Sequence, residues 1–334
     1  MVFETQKVDD INGFEREVAS VRDRILSVRD ALGEVLIGQE TVIDHALVCM
    51  LAQGHVLLEG TPGLGKTLFI KALGRMTGLE VKRIQFTPDL MPSDIIGGER
   101  LTEVEGGVVS RFQPGPVFTQ ILLADEINRA NPRTQAALLE AMGEGHVTVS
   151  GQTTALPAPF FVYASQNPVD MQGTYPLPEA QMDRFMMRIQ LSRPGHKALG
   201  RIITMRADDA LEETAALMNR EHIVQFQRLA REIPASSTII ESIGKMIEST
   251  WIDCQVSAHG HRAGMGASPR AGQDLFRACQ ARALISGRLN VTNDDLRSLA
   301  IPVLNHRIFL PTSLRADGKT ALSVLTDITH KLLG

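Results

Sequence analysis

One stretch restricts what this chain can fold into more than any other. Gly60 to Thr67 reads GTPGLGKT and directly follows the short apolar run HVLLE, His55–Glu59. It satisfies the pattern G-x-x-x-x-G-K-[ST] in full, with a strand signal before it and a helical pattern, Thr67–Met76, after it. Glycines at this spacing let backbone amides turn inward, the helix start adds partial positive charge, and Lys66 brings a point charge. A loop of this kind cradles phosphate oxygens. The Thr67 hydroxyl suits Mg²⁺, a small hard cation that prefers oxygen. A Gly-rich turn that merely caps a helix is the plainer alternative, and the full match in this context argues against it.

Three further runs resemble HVLLE: VKRIQF (Val81–Phe86), ILLAD (Ile121–Asp125) and FFVYAS (Phe160–Ser165). Helical patterns lie before and between them, including Glu40–Leu51 and Arg133–Met142. That alternation predicts an α/β fold, a parallel sheet covered on both faces. Upstream, Phe14, Val18, Val21, Ile25, Val28 and Leu32 recur at spacings of four and three, an amphipathic helix stopped by Gly33. Two segments read as hairpins, Glu99–Phe112 joined at Gly106-Gly107 and His146–Pro157 turning at Ser150-Gly151. Beyond Pro194 strand signals disappear. Leu199–Met218, Ala235–Trp251, Pro269–Ser286 and Thr292–Leu304 look helical, with Thr292-x-x-Asp295 as a capping box. The boundary expected near Ser192–Gly195 separates an α/β part, residues 1–193, from an all-α part, residues 194–334.

Bulk properties exclude more than they assign. The formal charge of −4 supplies no global field for nucleic acid or acidic lipid, and with aromatics at 4% a base-stacking platform is not expected. Cys49, Cys254 and Cys279 are widely separated, without disulfide or metal-ligand spacing, and fit a reducing cytoplasm. No window approaches the ~18 apolar residues of a membrane span, and the mixed, acidic N-terminus does not read as a signal peptide. A cytoplasmic protein is expected.

The strand ends carry the chemistry. LLADEINR (Leu122–Arg129) delivers two carboxylates at the end of a buried strand. Asp125 suits a metal-holding role, through water, and Glu126 is placed to polarise an attacking water. A surface Asp-Glu pair is the bland alternative. Asn167, at the end of FFVYASQNP, either bonds a terminal phosphate and the attacking water or simply closes the strand with an Asn-Pro turn. In LPEAQMDRFMMR (Leu177–Arg188), Arg184 is either a catalytic cation or half of a surface pair with Asp183 or Glu179, worth about 0–1 kcal/mol.

Taken together these stretches resemble AAA+ ATPases, specifically the MoxR family of the helix-2-insert group. The likeness rests on VLIGQE (Val35–Glu40), GHVLLEGTPGLGKT, RIQFTPDLMPSDIIG (Arg83–Gly97), FQPGPVF (Phe112–Phe118), LLADEINRANPRTQAALLEAM (Leu122–Met142), QNPVDMQGTYPLPEAQMDRF (Gln166–Phe185) and GASPRA (Gly266–Ala271). The resemblance implies an αβα nucleotide-binding core with an all-α lid, ATP hydrolysis with Mg²⁺, and a hexameric ring. It also implies a chaperone-like action on protein clients, often beside von Willebrand factor A-domain partners. Position by position it implies adenine contacts at Ile37, Gly38 and Gln39. Phosphate contacts fall at Thr61, Pro62, Gly63, Leu64, Gly65, Lys66, Thr67 and Leu68, and metal ligands at Thr67 and Asp125. Asn167 matches sensor 1 and Arg270 matches sensor 2, with Ser268 as N-cap and Pro269 as first helical residue. Glu99–Phe112 is similar to the helix-2 insert and His146–Pro157 to the pre-sensor-1 hairpin. Arg184 aligns with an arginine finger supplied to the neighbouring subunit, Arg188 or Arg193 being substitutes.

Trp251–Arg270 carries more loop than the family leads one to expect. His259 and His261 within it are either metal ligands or plain loop residues, the latter favoured because no Cys or acid stands at ligand spacing. Two other functions remain open: an ATP-dependent assembly switch with little turnover, and a DNA-acting motor, which the acidic ERLTEVE hairpin disfavours.

Overall fold

Alternation along the short apolar runs sets the architecture. The computed structural model describes residues 2–104, 107–167, 173–205, 215–251 and 265–334. Five strands, β1 (Val56–Glu59), β2 (Val81–Gln85), β5 (Ile121–Asp125), β8 (Phe161–Gln166) and β9 (Met187–Gln190), form one sheet in the order β2-β5-β8-β1-β9. Every pairing in it is parallel. Two antiparallel hairpins stand apart, β3 (Gly97–Val104) with β4 (Gly107–Pro114), and β6 (His146–Val149) with β7 (Gln152–Ala155). Because side chains alternate along a strand, Val56, Leu58, Leu123, Tyr163 and Ile189 join one hydrophobic cluster. Leu57, Leu122, Ala124, Val162 and Ala164 join the other.

The helices cover both faces. α1 (Val2–Val35), α2 (Glu40–Leu51) and α3 (Lys66–Thr77) share the first cluster with the C-terminal helices. α4 (Pro92–Ile96) and α5 (Pro132–Glu144) pack on the second face. After α6 (Glu179–Met182) and β9 the chain is helical: α7 (His196–Thr204), α8 (Arg220–Glu232), α9 (Ser237–Ser249), α10 (Pro269–Ile285), α11 (Asn293–Leu304), α12 (Thr312–Ala316) and α13 (Ala321–Leu333). α1 packs against α3 and α10, so it ties the sheet layer to the C-terminal helices. The capping box expected at Thr292 and Asp295 is present at the start of α11.

Several expectations need correcting. Gly33 does not stop the first helix, which continues to Val35, because Val35 is itself buried and the packing of α1 outweighs the ~1 kcal/mol a helical glycine costs. The helix expected over 199–218 ends at Thr204, with Met205 in extended backbone, and Leu217 and Met218 are not helical. Strand β9 and helices α8, α12 and α13 had no clear signal. β9 is an edge strand of four residues whose Arg188 and Gln190 interrupt the apolar pattern. The first hairpin has longer arms than expected, and Gly107 belongs to β4 rather than the turn. In the second, Ser150 and Gly151 both take positive φ, 49° and 79°, as a two-residue hairpin turn requires. His259 and His261 lie outside the described residues.

Two histidines, the half-buried His55 and the buried His306, make the fold sensitive to acid. His55 Nδ1 accepts from the Val162 amide at 3.0 Å, and its Nε2 donates to the Met142 carbonyl at 3.2 Å. Burial pushes its pKa down to about 4. His306 Nε2 donates to the Phe185 carbonyl at 2.8 Å, and burial again lowers its pKa. Both are neutral when folded, whereas unfolded histidine takes up a proton near pH 6.5. Stability is therefore intact above about pH 6.5 and falls toward pH 4, by up to about 1.4 kcal/mol per pH unit for each histidine. His55→Gln, which keeps one donor and one acceptor, should show a shallower fall in melting temperature between pH 6.5 and 4.5 than the unaltered chain.

Candidate functional site

The loop after β1 is shaped by its glycines. Gly63 and Gly65 have φ of 86° and 84°, the left-handed region that favours glycine. Gly65 occupies the N-cap of α3, and no side chain caps that helix. Its first-turn amides are thus directed into the loop, where an anion is stabilised by them and by the helix dipole. Lys66 is buried and donates to the Gly60 carbonyl at 2.9 Å. Burial lowers its pKa, opposed by the negative fields of Asp125 and Glu126. A buried ammonium facing two carboxylates across an anion-ready loop is arranged to take a polyphosphate.

Parallel pairing sets the two acids beside β8. Ala124 pairs with Ala164, which brings the next residues, Asp125 and Ser165, together. Ser165 Oγ donates to Asp125 Oδ1 at 2.5 Å and accepts the Glu126 amide at 2.9 Å. Glu126 has left the strand with a φ of 56°, so the two adjacent carboxylates diverge. On the other side, Arg83 of β2 donates to Asp125 Oδ2 from Nη2 at 2.7 Å and from Nε at 3.2 Å. The same Nη2 donates to Gln85 Oε1 at 2.5 Å, and Gln85 Nε2 donates to Glu126 Oε2 at 2.8 Å. Arg129 Nη1 adds a 3.0 Å contact to that oxygen. One chain of hydrogen bonds thus joins both acids.

Arg83, Gln85, Ser165 and Arg129 were not picked out from sequence. Arg83 and Gln85 are alternate, outward residues of β2, a pattern also expected of a solvated strand face. Only the sheet order, β2 beside β5, reveals where they point.

Beside the loop lies a cavity of about 480 Å³ whose walls include Ile37, Gln39, Leu64, Leu199, Ile202 and Met205. Thr61, Pro62, Gly63, Gly65, Leu68 and Arg193 complete its phosphate-loop side. Gln39 is spent on its own chain: Nε2 donates to the Ser192 carbonyl at 2.5 Å, and Oε1 accepts the Ser192 amide at 3.3 Å. Gly38, with φ 76°, sits against Ala198, where an added Cβ would lie 3.1 Å from that side chain. The apolar face of α7 was missed as a wall of this cavity. Its Leu199 and Ile202 are partly exposed, as apolar groups facing an open cavity must be.

The arginines separate clearly. Arg184 pairs with neither Asp183 nor Glu179. Its Nη1 donates to the Leu139 carbonyl at 2.7 Å, and the guanidinium lies over Gly143 of α5. Asp183 instead accepts from Ser268 Oγ at 3.1 and 3.0 Å and faces Arg307 at 3.5 Å. Arg188 faces Glu59 at 3.6 Å, and Arg193 lines its own chain's cavity. Asn167 follows the last residue of β8. Arg270 is exposed in the first turn of α10, whose N-cap, Ser268, accepts the Ala271 amide at 3.2 Å. Among the described residues, no hydrogen bond or ion pair joins Arg184 or Arg270 to the Lys66–Asp125–Glu126 group.

Comparison with known proteins agrees with this arrangement. A model of the ATPase family associated with various cellular activities (AAA) matches residues 55–187, and an AAA lid domain model matches 256–328. Chaperone MoxR1 of Mycobacterium tuberculosis is 36% identical over 307 residues, covering 91% of this chain and 80% of that one. The chain belongs to the MoxR family of AAA+ ATPases. YeaC of Bacillus subtilis, an uncharacterised protein, is 39% identical over 302 residues, covering 89% of this chain and 90% of its own. A crystal structure from Cytophaga hutchinsonii, assigned as an ATPase, superposes with a TM-score of 0.84 at 34% identity, covering 96% of this chain and 98% of that one. The sheet and helical C-terminal part are accordingly an AAA+ core and lid. No helix among the described residues is long and apolar enough to cross a membrane.

Ser165 offers a direct test of how this MoxR-family site is built. It is fully buried and serves both acids at once. Ser165→Ala leaves the Glu126 amide and Asp125 Oδ1 short of a partner, at a cost of about 1–3 kcal/mol. The expected result is a lowered melting temperature together with loss of any ATP turnover, whereas Ser165→Thr should retain most of both.

Proposed function

We propose that this MoxR-family chain hydrolyses ATP in the presence of Mg²⁺, as a hexameric ring, and uses the cycle to remodel or activate protein clients. The observation that carries this reading is the Asp125–Glu126 pair, held divergent at one strand end and linked through Arg83 and Gln85. A binding-only site needs the phosphate loop and one acid; a second acid turned away from the first suits activation of water.

The donor types fit Mg²⁺. Thr67 offers a hydroxyl and Asp125 a carboxylate, both hard oxygens of the kind Mg²⁺ prefers. These two residues would hold it, and when bound it supplies charge neutralisation across the phosphates. The base lies in the cavity walled by Ile37 and Gln39, either side of Gly38, and by α7 opposite, so ATP bridges core and lid. Residues Thr61 to Leu68 wrap the phosphates, and the buried Lys66 ammonium neutralises phosphate charge. Glu126 accepts the proton of the attacking water, while the neutral Asn167 amide orients that water without adding charge. Gln85 and Arg129 hold one Glu126 oxygen, so releasing it is part of preparing the base.

Arg184 and Arg270 complete the charge balance. Arg270, at the start of a lid helix, reaches the phosphates when lid and core close. Arg184 bonds the Leu139 carbonyl and, among the described residues, makes no bond to its own chain's Lys66–Asp125–Glu126 group, which suits a finger serving the neighbouring subunit, worth about 10³ to 10⁵ in rate. Arg188, facing Glu59 at the end of the strand that leads into the phosphate loop, and Arg193, on the wall of its own chain's cavity, stand beside their own site and are poorer choices. The two hairpins, β3–β4 and β6–β7, project from the core as levers toward a client or a von Willebrand factor A-domain partner. The name of the mycobacterial relative, a chaperone, supports the client reading.

Glu126→Gln should bind ATP with near-normal affinity and hydrolyse it at least about 100-fold more slowly; unchanged phosphate release would refute the assignment. Arg184→Ala should also bind ATP and hydrolyse it at least about 10³-fold more slowly. Mixing the two variants should restore part of the activity, because each retains what the other lacks. A preparation that binds ATP, forms rings and shows no turnover in any arm would instead establish an assembly switch.

A further inference from the structure

Arg184 and Arg270 belong to different parts of the chain, yet one hydrogen-bonded group stands between them. Asp183, immediately before Arg184, receives the Ser268 hydroxyl on both carboxylate oxygens, at 3.1 and 3.0 Å. Ser268 is the N-cap of α10, and Arg270 lies two residues further on, in its first turn. Behind this contact sits Arg307, whose side chain is only 1% exposed. It faces Asp183 at 3.5 Å and donates through Nη2 to Asp274 of α10 at 2.6 Å and to the Phe185 carbonyl at 2.7 Å. Asp274 lies one helical turn beyond Arg270. His306 Nε2 also donates to the Phe185 carbonyl, at 2.8 Å. The Asp183–Phe185 segment of the core is thereby held by lid residues at both ends, at the Asp183 carboxylate and at the Phe185 carbonyl, with Arg184 between them.

From this we infer that Asp183, Ser268 and Arg307 are positioning residues that fix Arg184 relative to the lid helix bearing Arg270. The inference rests on the reading of Arg184 as the finger for the adjoining subunit. Nucleotide in a subunit's own site draws Arg270 and the start of α10, and the Ser268–Asp183 bond transmits that position to Arg184, which serves the next site. Each site is thus coupled to its neighbour through a contact inside a single chain. The contact also has its local geometry protected. The turn before Ser268 is held by Thr250 Oγ1, which accepts the Ala267 amide at 2.9 Å, and by Trp251 Nε1, which donates to the Ala267 carbonyl at 2.8 Å. At Gly266 an added Cβ would fall 2.5 Å from the Thr250 carbonyl and from the Trp251 ring, so only glycine brings the chain in this close.

Ser268→Gly is the discriminating variant. Glycine is an acceptable N-cap, losing only a few tenths of a kcal/mol relative to serine, but it cannot donate to Asp183. In the assembled full-length protein, kcat should fall about tenfold to a hundredfold, as expected for a misplaced charge, with KM for ATP nearly unchanged. Ser268→Thr should restore kcat to within about twofold of the unaltered protein, since threonine caps and donates alike. In an Arg184→Ala background, Ser268→Gly should change the residual kcat by less than about twofold, because residues acting through one another are not additive. Emission from Trp251, the single tryptophan, monitors the same turn and should match in all variants. A drop in melting temperature with kcat intact, or multiplicative losses in the double variant, overturns the inference and leaves the finger reading standing. An Arg184→Ala protein with undiminished kcat overturns the finger reading, and the inference with it.

Discussion

A carboxylate at the buried end of a central parallel strand has to be compensated, and the site is organised around that need. Asp125 is 8% exposed. Leaving such a charge without partners would cost several kcal/mol. Ser165 satisfies one oxygen and Arg83 the other, from the strands on either side, β8 and β2. These partners exist only because the sheet places β5 between β2 and β8. The sheet order in turn requires helices on both faces, since every central strand is apolar on both. The electrostatic demand of one residue and the packing demand of the sheet are thus met by the same topology.

The same compensation links the acids to each other. Arg83 touches Asp125 and Gln85, and Gln85 touches Glu126. A new cation near Asp125 competes with Arg83 for its oxygens, and any shift of Arg83 is felt at Gln85 and then at Glu126. Within such a network a change at one end alters bond strengths at the other, because hydrogen bonds in series polarise one another. Two carboxylates adjacent in sequence are therefore not independent groups, even though their side chains diverge.

Legibility in the sequence followed the range of each interaction. The phosphate loop is written in consecutive residues whose backbone demands are local, so GTPGLGKT and its flanking strand and helix could be read directly. The apolar runs of β1, β2, β5 and β8 were equally plain, as central strands carry continuous hydrophobicity. β9 was not, because an edge strand is covered on fewer sides and tolerates Arg188 and Gln190. Gly33 misled because a local helix-breaking preference of about 1 kcal/mol is overridden by burial of Val35. The short-range reading of Arg184 as half of a pair with Asp183 failed for a related reason. Adjacent charges at the end of a short helix are free to choose distant partners, and Asp183 found Ser268 and Arg307, residues 85 and about 120 positions away. Arg83, Gln85 and Ser165 were hidden because their roles depend on which strand lies beside which.

The cluster around Arg307 raises the question of why charge is buried where the lid meets the core. Buried ion pairs seldom stabilise more than a well-packed apolar substitute, whereas removing one partner is strongly destabilising. Arg307 Nη1 and His306 Nδ1 have no hydrogen-bond partner among the described residues. An apolar contact would hold lid to core with less penalty, but it would tolerate sliding. Directional bonds from Arg307 and His306 to a single carbonyl, that of Phe185, define one alignment and lose strength steeply when it shifts. On the proposed reading, in which core and lid both contribute groups to the site, the relative placement of the two layers matters more than the last increment of stability. The buried charge at this junction is best understood as setting register.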